Sequence, residues 1–250
     1  MKTNDIDIDD ISKIAGRKVL LYSGGLDSHI LARLWKPDVC LYVHTRSRYG
    51  ALEFAHLRPP PHGELVVDFR LTLEDVERKD LIVPHRNAFL VLVAAYYGTE
   101  IALAATAGDR STDKDNRFAA AMESLLDHIY QPQHWTGAGL DFHVELPVKD
   151  KTKRQLVREW VASGGDPAEL ARVVSCYDGA SVACGRCKAC ARKWVALYLE
   201  GIECAFDSDP ALYFTPDMVA KARTGDYRGD AEDADMIEAL ARRGLTEAGQ

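Results

Sequence analysis

Short apolar runs alternate with stretches of helical period along the first two thirds of the chain. The runs at 19–22, 39–43, 65–67, 101–105 and 142–146 predict strands, the last ended by Pro147. Between them, 28–35, 87–97, 117–130 and 153–162 read as helices; Ile30, Leu31 and Leu34 share a face of the first, and Gly164-Gly165-Asp166-Pro167 stops the last. Strands this short and continuously apolar, set between helices, predict a parallel sheet covered on both faces. The expected fold class is α/β, a doubly wound, mainly parallel sheet whose ligands sit at the carboxyl ends of the strands. Residues 235–244 predict one more helix in a C-terminal tail that could be packed or loosely ordered. The run Arg58-Pro59-Pro60-Pro61-His62-Gly63 predicts a stiff surface turn.

Composition narrows the class. The 250 residues are 47% hydrophobic and 28% charged, which suits a globular chain with a real core. No apolar run approaches the roughly 20 residues of a membrane helix, and the acidic first ten residues lack the apolar centre of a signal peptide, so a cytoplasmic location and no membrane partner are expected. The net charge of −7 gives no support to a nucleic-acid partner and suits a small-molecule enzyme.

The richest stretch joins the first predicted strand to the first predicted helix: Tyr22-Ser23-Gly24-Gly25-Leu26-Asp27-Ser28. Strand, glycine-bearing loop and helix in that order surround an anion with backbone N–H groups at the positive end of a helix. Adjacent glycines let backbone approach a phosphate, and Ser23 and Ser28 add hydroxyl donors. The loop has neither the lysine of a Gly-x-x-x-x-Gly-Lys phosphate loop nor the spaced glycines of a dinucleotide fingerprint. Ser-Gly-Gly-x-Asp-Ser instead resembles the signature of the ATP-pyrophosphatase superfamily, which cleaves ATP between its α- and β-phosphates and adenylates a substrate oxygen. ATP binding is therefore expected at Tyr22 to Ser28, with Asp27 holding Mg²⁺ near the pyrophosphate. A helix cap is the alternative role for Asp27, and Ser28 could cap equally well.

Six cysteines are present, and Cys176, Cys184, Cys187 and Cys190 fall within fifteen residues. Their Cys-x2-Cys spacings let thiolates converge on one ion, and four sulfurs without a histidine predict a closed, structural Zn²⁺ site, with an iron–sulfur cluster as the competitor. Cys40, in an apolar run, is expected in the core.

The phosphate loop, together with Ser175-Cys176-Tyr177-Asp178-Gly179 leading into the cysteine cluster, is similar to the 7-cyano-7-deazaguanine synthase family. Val83-Pro84-His85-Arg86-Asn87-Ala88-Phe89 resembles that family's Val-Pro-Gly-Arg-Asn stretch. Asp109-x-Ser111 followed by Asp115-x-Arg117 resembles its Asp-x-Ser-Gly-Tyr-Pro-Asp-Cys-Arg segment, and Pro147-x5-Lys153 its Pro-x5-Lys segment. The resemblance spans residues 17 to 200 and implies an adenine nucleotide alpha hydrolase-like fold. The implied domains are a nucleotide-binding α/β domain over 1–165, a four-cysteine zinc-binding segment over 166–205 and a helical tail over 206–250. It also implies the reaction. ATP adenylates the carboxylate of 7-carboxy-7-deazaguanine, ammonia displaces AMP to give an amide, and a second ATP drives loss of AMP to the nitrile. Asp27, Ser28 and Lys153 would be catalytic, and Arg86, Asn87, Asp109, Asp115 and Arg117 would meet the substrate. Three departures bear on specificity. Residues 112–116 read Thr-Asp-Lys-Asp-Asn, His29 replaces the usual threonine, and the Tyr-Gly-Gln segment is matched loosely by residues 44–50. A paralogue that stops at the amide or couples another amine, a tRNA-thiolating enzyme and a non-catalytic nucleotide-binding module are the alternative readings. Exposed helices and the C-terminal segment could serve a homodimer.

Overall fold

The apolar runs become the five strands of one sheet, all parallel, in the order β3-β2-β1-β4-β5. The computed structural model describes residues 10–80, 82–176, 178 and 182–245; residues 1–9 of the acidic N-terminus, and Tyr177 and Gly179 of the motif before the cysteines, lie outside them. The strands are β1 (Lys18–Leu21), β2 (Val39–Val43), β3 (Glu64–Asp68), β4 (Glu100–Leu103) and β5 (His143–Glu145). Between and after them run the helices α1 (Leu26–Trp35), α2 (Arg48–Ala55), α3 (Arg86–Ala94), α4 (Asn116–Ile129), α5 (Lys153–Ala162), α6 (Pro167–Arg172), α7 (Lys188–Leu199), α8 (Pro216–Arg223) and α9 (Asp230–Arg242).

Side chains that alternate along the strands feed two cores. Val19, Val39, Leu41, Val66 and Ile101 pack with Val91 of α3 and Met122 and Leu126 of α4. Leu20, Cys40 and Ala102 point the other way, against Ile30 of α1, Trp160 of α5, Leu170 of α6 and Leu197 of α7. All five residues of β2 are buried, as covering both faces requires. Cys40 is 0% exposed and burial pushes its thiol up to about 12, so it serves as a core residue.

The C-terminal segment is packed. Trp194, Val195 and Leu199 of α7 form a third core with Val219 of α8 and Met236, Ala239 and Leu240 of α9. Helix α7 thus lies between the sheet layer and the α8–α9 pair. Helix α2, the short α6, and the full extents of α7 and α8 were not expected from the pattern. The predicted tail helix begins five residues earlier than expected, at Asp230.

Candidate functional site

The strand order reverses between β1 and β4, and the loops leaving their carboxyl ends open a cleft of about 740 Å³, a size that suits a small-molecule site. Ser23, Gly25, Leu26, Asp27 and Ser28 line it from β1, and Asp109 to Ser111 from β4. Across from them stand Arg86 and Asn87 of α3, Lys153 of α5, and Lys188 and Arg192 of α7. Eight Lys and Arg side chains line this cleft against five Asp and Glu, in a chain whose net charge is −7. Positive charge is concentrated where a polyanionic ligand would sit.

The loop holds its shape through short contacts. Gly24 takes φ +71°, which favours glycine. The Leu26 N–H donates to Ser175 Oγ at 3.1 Å, so the segment leading into the cysteines braces the loop. Helix α1 begins at Leu26 behind Gly25, with its first turn closed by the His29 N–H to Gly25 C=O bond. The Asp27 and Ser28 N–H groups precede that bond and lack helical acceptors. Neither side chain caps the helix: Ser28 Oγ donates to Gly25 C=O, and Asp27 Oδ2 accepts from Lys153 Nζ. Asp27 Oδ1 is buried with no hydrogen-bond partner among the described residues, as a carboxylate oxygen meant for a cation would be. Lys153 is placed by a capping box: Gln155 N–H donates to Thr152 Oγ1 and Thr152 N–H to Gln155 Oε1, fixing the first turn of α5.

Tyr22 does not line the cleft. It is buried beneath the loop, where its hydroxyl meets His29 Nδ1 at 2.9 Å; His29 Nε2 meets Glu169 of α6 at 2.9 Å, and its ring lies 5.4 Å from that of Trp160. Burial drives His29 toward its neutral form against the pull of Glu169, so its pKa lies below the ordinary 6.5. The unfolded chain therefore takes up that proton first, and stability is full above about pH 6.5 and falls as pH drops toward the folded-state value. The midpoint of thermal unfolding is expected to fall between about pH 7.5 and pH 5.5, and to fall less in His29→Gln. Equal slopes for the two proteins would remove the histidine from the account.

On the opposite side, Arg192 gathers three partners distant in sequence. Its guanidinium meets Asp109 Oδ1 at 3.0 Å, Glu232 of α9 at 2.9 Å and Thr106 Oγ1 at 3.1 Å. Burial works against ionisation of Asp109 and of Glu232. The nearby cations, Arg192 first, outweigh it and hold both carboxyls below the usual range. The Asp109 carboxylate is therefore already engaged by Arg192 and by the Thr106 N–H. Asn87 donates to Asp113 and so ties α3 to the turn over Thr112–Lys114. His85, where the related stretch carries glycine, takes φ +61° just before α3. Asp115 and Arg117 do not line the cleft: Asp115 caps α4 by accepting the Phe118 N–H, and Arg117 is exposed. Asp113 and Lys114 line it in their stead.

The four clustered cysteines converge. Their sulfurs all lie within 4.8 Å of one another, and Cys184 and Cys190 are 3.9 Å apart. A tetrahedral ion with metal–sulfur bonds of about 2.3 Å sets sulfurs about 3.8 Å apart, so the quartet fits a single ion. An iron–sulfur cluster, whose cysteines ligate different irons, needs wider spacing. Backbone N–H groups of Asp178, Cys184 and Arg186 point at the Cys176 and Cys184 sulfurs at 3.3–3.4 Å, as thiolates require. Gly185 makes the turn at φ +71°, and a Cβ there would strike the Ser208 carbonyl.

Sequence reading missed Ser175, Lys188, Arg192, Arg228 and Glu232. Ser175 and Lys188 stand beside motif cysteines, which is a usable signal; the other three carry none in the local pattern.

Comparison with known proteins adds a family. The family described as Queuosine biosynthesis protein QueC matches residues 64–199. A 7-cyano-7-deazaguanine synthase of Ruegeria sp. (strain TM1040) is 30% identical, covering 84% of this chain and 98% of that protein. The protein of the same name in Geotalea uraniireducens (strain Rf4) is 30% identical, over 79% of this chain and 96% of its own length. That of Archaeoglobus fulgidus is 31% identical, over 68% and 64%.

Proposed function

Since the chain belongs to the QueC family of queuosine biosynthesis proteins, we propose that it is an AMP-forming ligase of queuosine precursor synthesis, converting 7-carboxy-7-deazaguanine to 7-cyano-7-deazaguanine. The observation that carries the reading is the cationic cleft, in which a Ser-Gly-Gly-x-Asp-Ser loop, a free helix N-terminus and Lys153 meet. The α1 N–H groups and the Ser23 and Ser28 hydroxyls face the phosphates, and Lys153 neutralises charge that grows on the leaving pyrophosphate. Asp27 Oδ1 would hold Mg²⁺, which supplies further phosphate neutralisation.

A carboxylate is a poor acyl donor until one oxygen becomes a good leaving group. Attack of that oxygen on the α-phosphorus expels pyrophosphate and leaves an acyl adenylate. Ammonia then adds to the carbonyl carbon and AMP departs, giving the amide. A second ATP adenylates the amide oxygen, and loss of AMP and protons leaves the carbon–nitrogen triple bond. Arg86 and Asn87 border the acid, Asn87 through its tie to Asp113, while Asp109 acts in concert with Arg192. Asp115 and Arg117, expected at the substrate, act at most through the turn they flank. The ion held by the four cysteines is Zn²⁺ in a structural role, because four protein sulfurs leave no open position for chemistry.

A second reading ends at the amide. It is favoured by the altered segment 112–116, of which Asp113 and Lys114 line the cleft. Incubation with ATP, ammonia and 7-carboxy-7-deazaguanine, followed by mass spectrometry and AMP measurement, separates the two. The nitrile reading expects two AMP per product. One AMP per amide establishes the second reading, and no AMP release sinks both.

A further inference from the structure

The segment after α7 lies beyond residues 64–199, which the family's description matches, yet it reaches into the cleft. The turn between α8 and α9 brings Arg228 to the cleft wall, and the first turn of α9 brings Glu232 to Arg192. That turn is rigidly held. The Asp233 carboxylate, 0% exposed, accepts the backbone N–H groups of Tyr227 at 3.1 Å, Arg228 at 2.9 Å and Gly229 at 3.1 Å. From the other side, Arg110 donates to the Asp226 carbonyl at 2.9 Å, tying the turn to the loop after β4. A loop fixed by one fully buried carboxylate presents its side chain in a set direction.

The presented group is incompletely satisfied. Arg228 Nε is buried and has no hydrogen-bond partner among the described residues. A guanidinium left so costs free energy unless something accepts from it. In the first turn of α9, Glu232 is engaged by Arg192 and Asp233 by the backbone. Facing the same cleft is Lys188. Two cations that line one cleft suit a ligand with several acceptor oxygens, and the planar guanidinium fork suits a carboxylate or a phosphate.

We propose that Arg228, together with Lys188, forms an oxyanion subsite that the C-terminal segment adds to the cleft. Its ligand is either the carboxylate of the acid substrate or the pyrophosphate part of the nucleotide. The naming of these two ligands rests on the adenylating reading above; the existence of the subsite rests on the geometry of Arg228. Arg228 is then a residue of substrate recognition lying in a part of the chain that the family match does not reach.

Calorimetric titration of the full-length protein, and of Arg228→Ala and Arg228→Lys, with inorganic pyrophosphate and separately with 7-carboxy-7-deazaguanine tests this. Arg228→Ala should weaken one of the two by about tenfold or more, with Arg228→Lys recovering part of the loss. Weaker pyrophosphate binding identifies the nucleotide as the source, and weaker acid binding identifies the substrate carboxylate. Retention of the thermal midpoint in Arg228→Lys separates recognition from folding. Affinities within twofold of the parent protein, for every anion that the parent binds, overturn the subsite, as does a parent protein that binds neither. A parent protein that binds pyrophosphate but not the acid sinks the functional reading alone, and pyrophosphate then decides the subsite by itself.

Discussion

Replacing Cys187 with serine is expected to unfold the C-terminal part of the protein. Cys187 contributes one sulfur of the quartet and also caps α7, where its side chain accepts the Cys190 N–H at 3.5 Å. Without a cation the site works against itself: the neighbouring Cys187 thiol and burial push the Cys190 thiol up, and burial pushes Cys184 up. A structural zinc site contributes on the order of 10 kcal/mol in small domains, comparable with the whole stability of an ordinary one. Loss of one ligand therefore removes more than the remaining core around α7 can offset. Elemental analysis should fall from about one zinc per chain to none, and thermal unfolding should shift downward or vanish into aggregation. A chelator strong enough to strip the metal should reproduce both effects in the parent protein. Cys187→Ser protein that is metal-free and melts with the parent would overturn the structural role, and iron in place of zinc would overturn the metal assignment.

Lys153→Ala should lower the rate of AMP release at saturating ATP by about 10²- to 10³-fold, the loss typical of removing one preorganised donor from developing negative charge. The side chain is held beside Asp27 and at the start of a capped helix, so its ammonium is fixed before the nucleotide arrives. The effect should fall mainly on kcat, because the charge that Lys153 meets grows as pyrophosphate leaves. Lys153→Arg should restore little, since a planar, delocalised guanidinium does not reproduce the compact point charge of an ammonium. Pre-steady-state AMP formation within tenfold of the parent protein would remove Lys153 from the chemistry and leave it as a structural partner of Asp27.

What was legible in the chain was whatever is encoded locally. Strands β1, β2 and β4 are short apolar runs because both their faces are covered, and such runs stand out. The phosphate loop and the cysteine quartet each occupy fewer than sixteen consecutive residues, so spacing alone brings their groups together. Helix α2 was hidden because Gly50 interrupts its first turns and its apolar face is weak. Helix α7 was hidden because eight of its twelve residues are buried, which erases the helical period on which recognition depends. The segment 109–117 marks the limit for the site. Its composition placed charged groups near the cleft, but a single 3-10 turn decides that Asp113 and Lys114, and not Asp115 and Arg117, face it. The partnership of Asp109, Arg192 and Glu232 joins a strand loop to two helices across the molecule, and no local period announces it.

The place of Glu232 in that partnership also sets an order in time. Thr106 and Glu232, which share a hydrogen bond, are 126 residues apart. At roughly 5–20 residues per second of synthesis, Glu232 follows Thr106 by about 6–25 seconds. Late in that interval a growing chain has all five strands, the phosphate loop and the Arg192 partner of Asp109, while the Thr106 hydroxyl still lacks Glu232. The wall of the cleft that Arg228 and Glu232 complete is therefore the last part of the site to be made. A stalled nascent chain ending between α7 and α8 would carry every strand, the phosphate loop and the Arg192–Asp109 pair, but neither Glu232 nor Arg228.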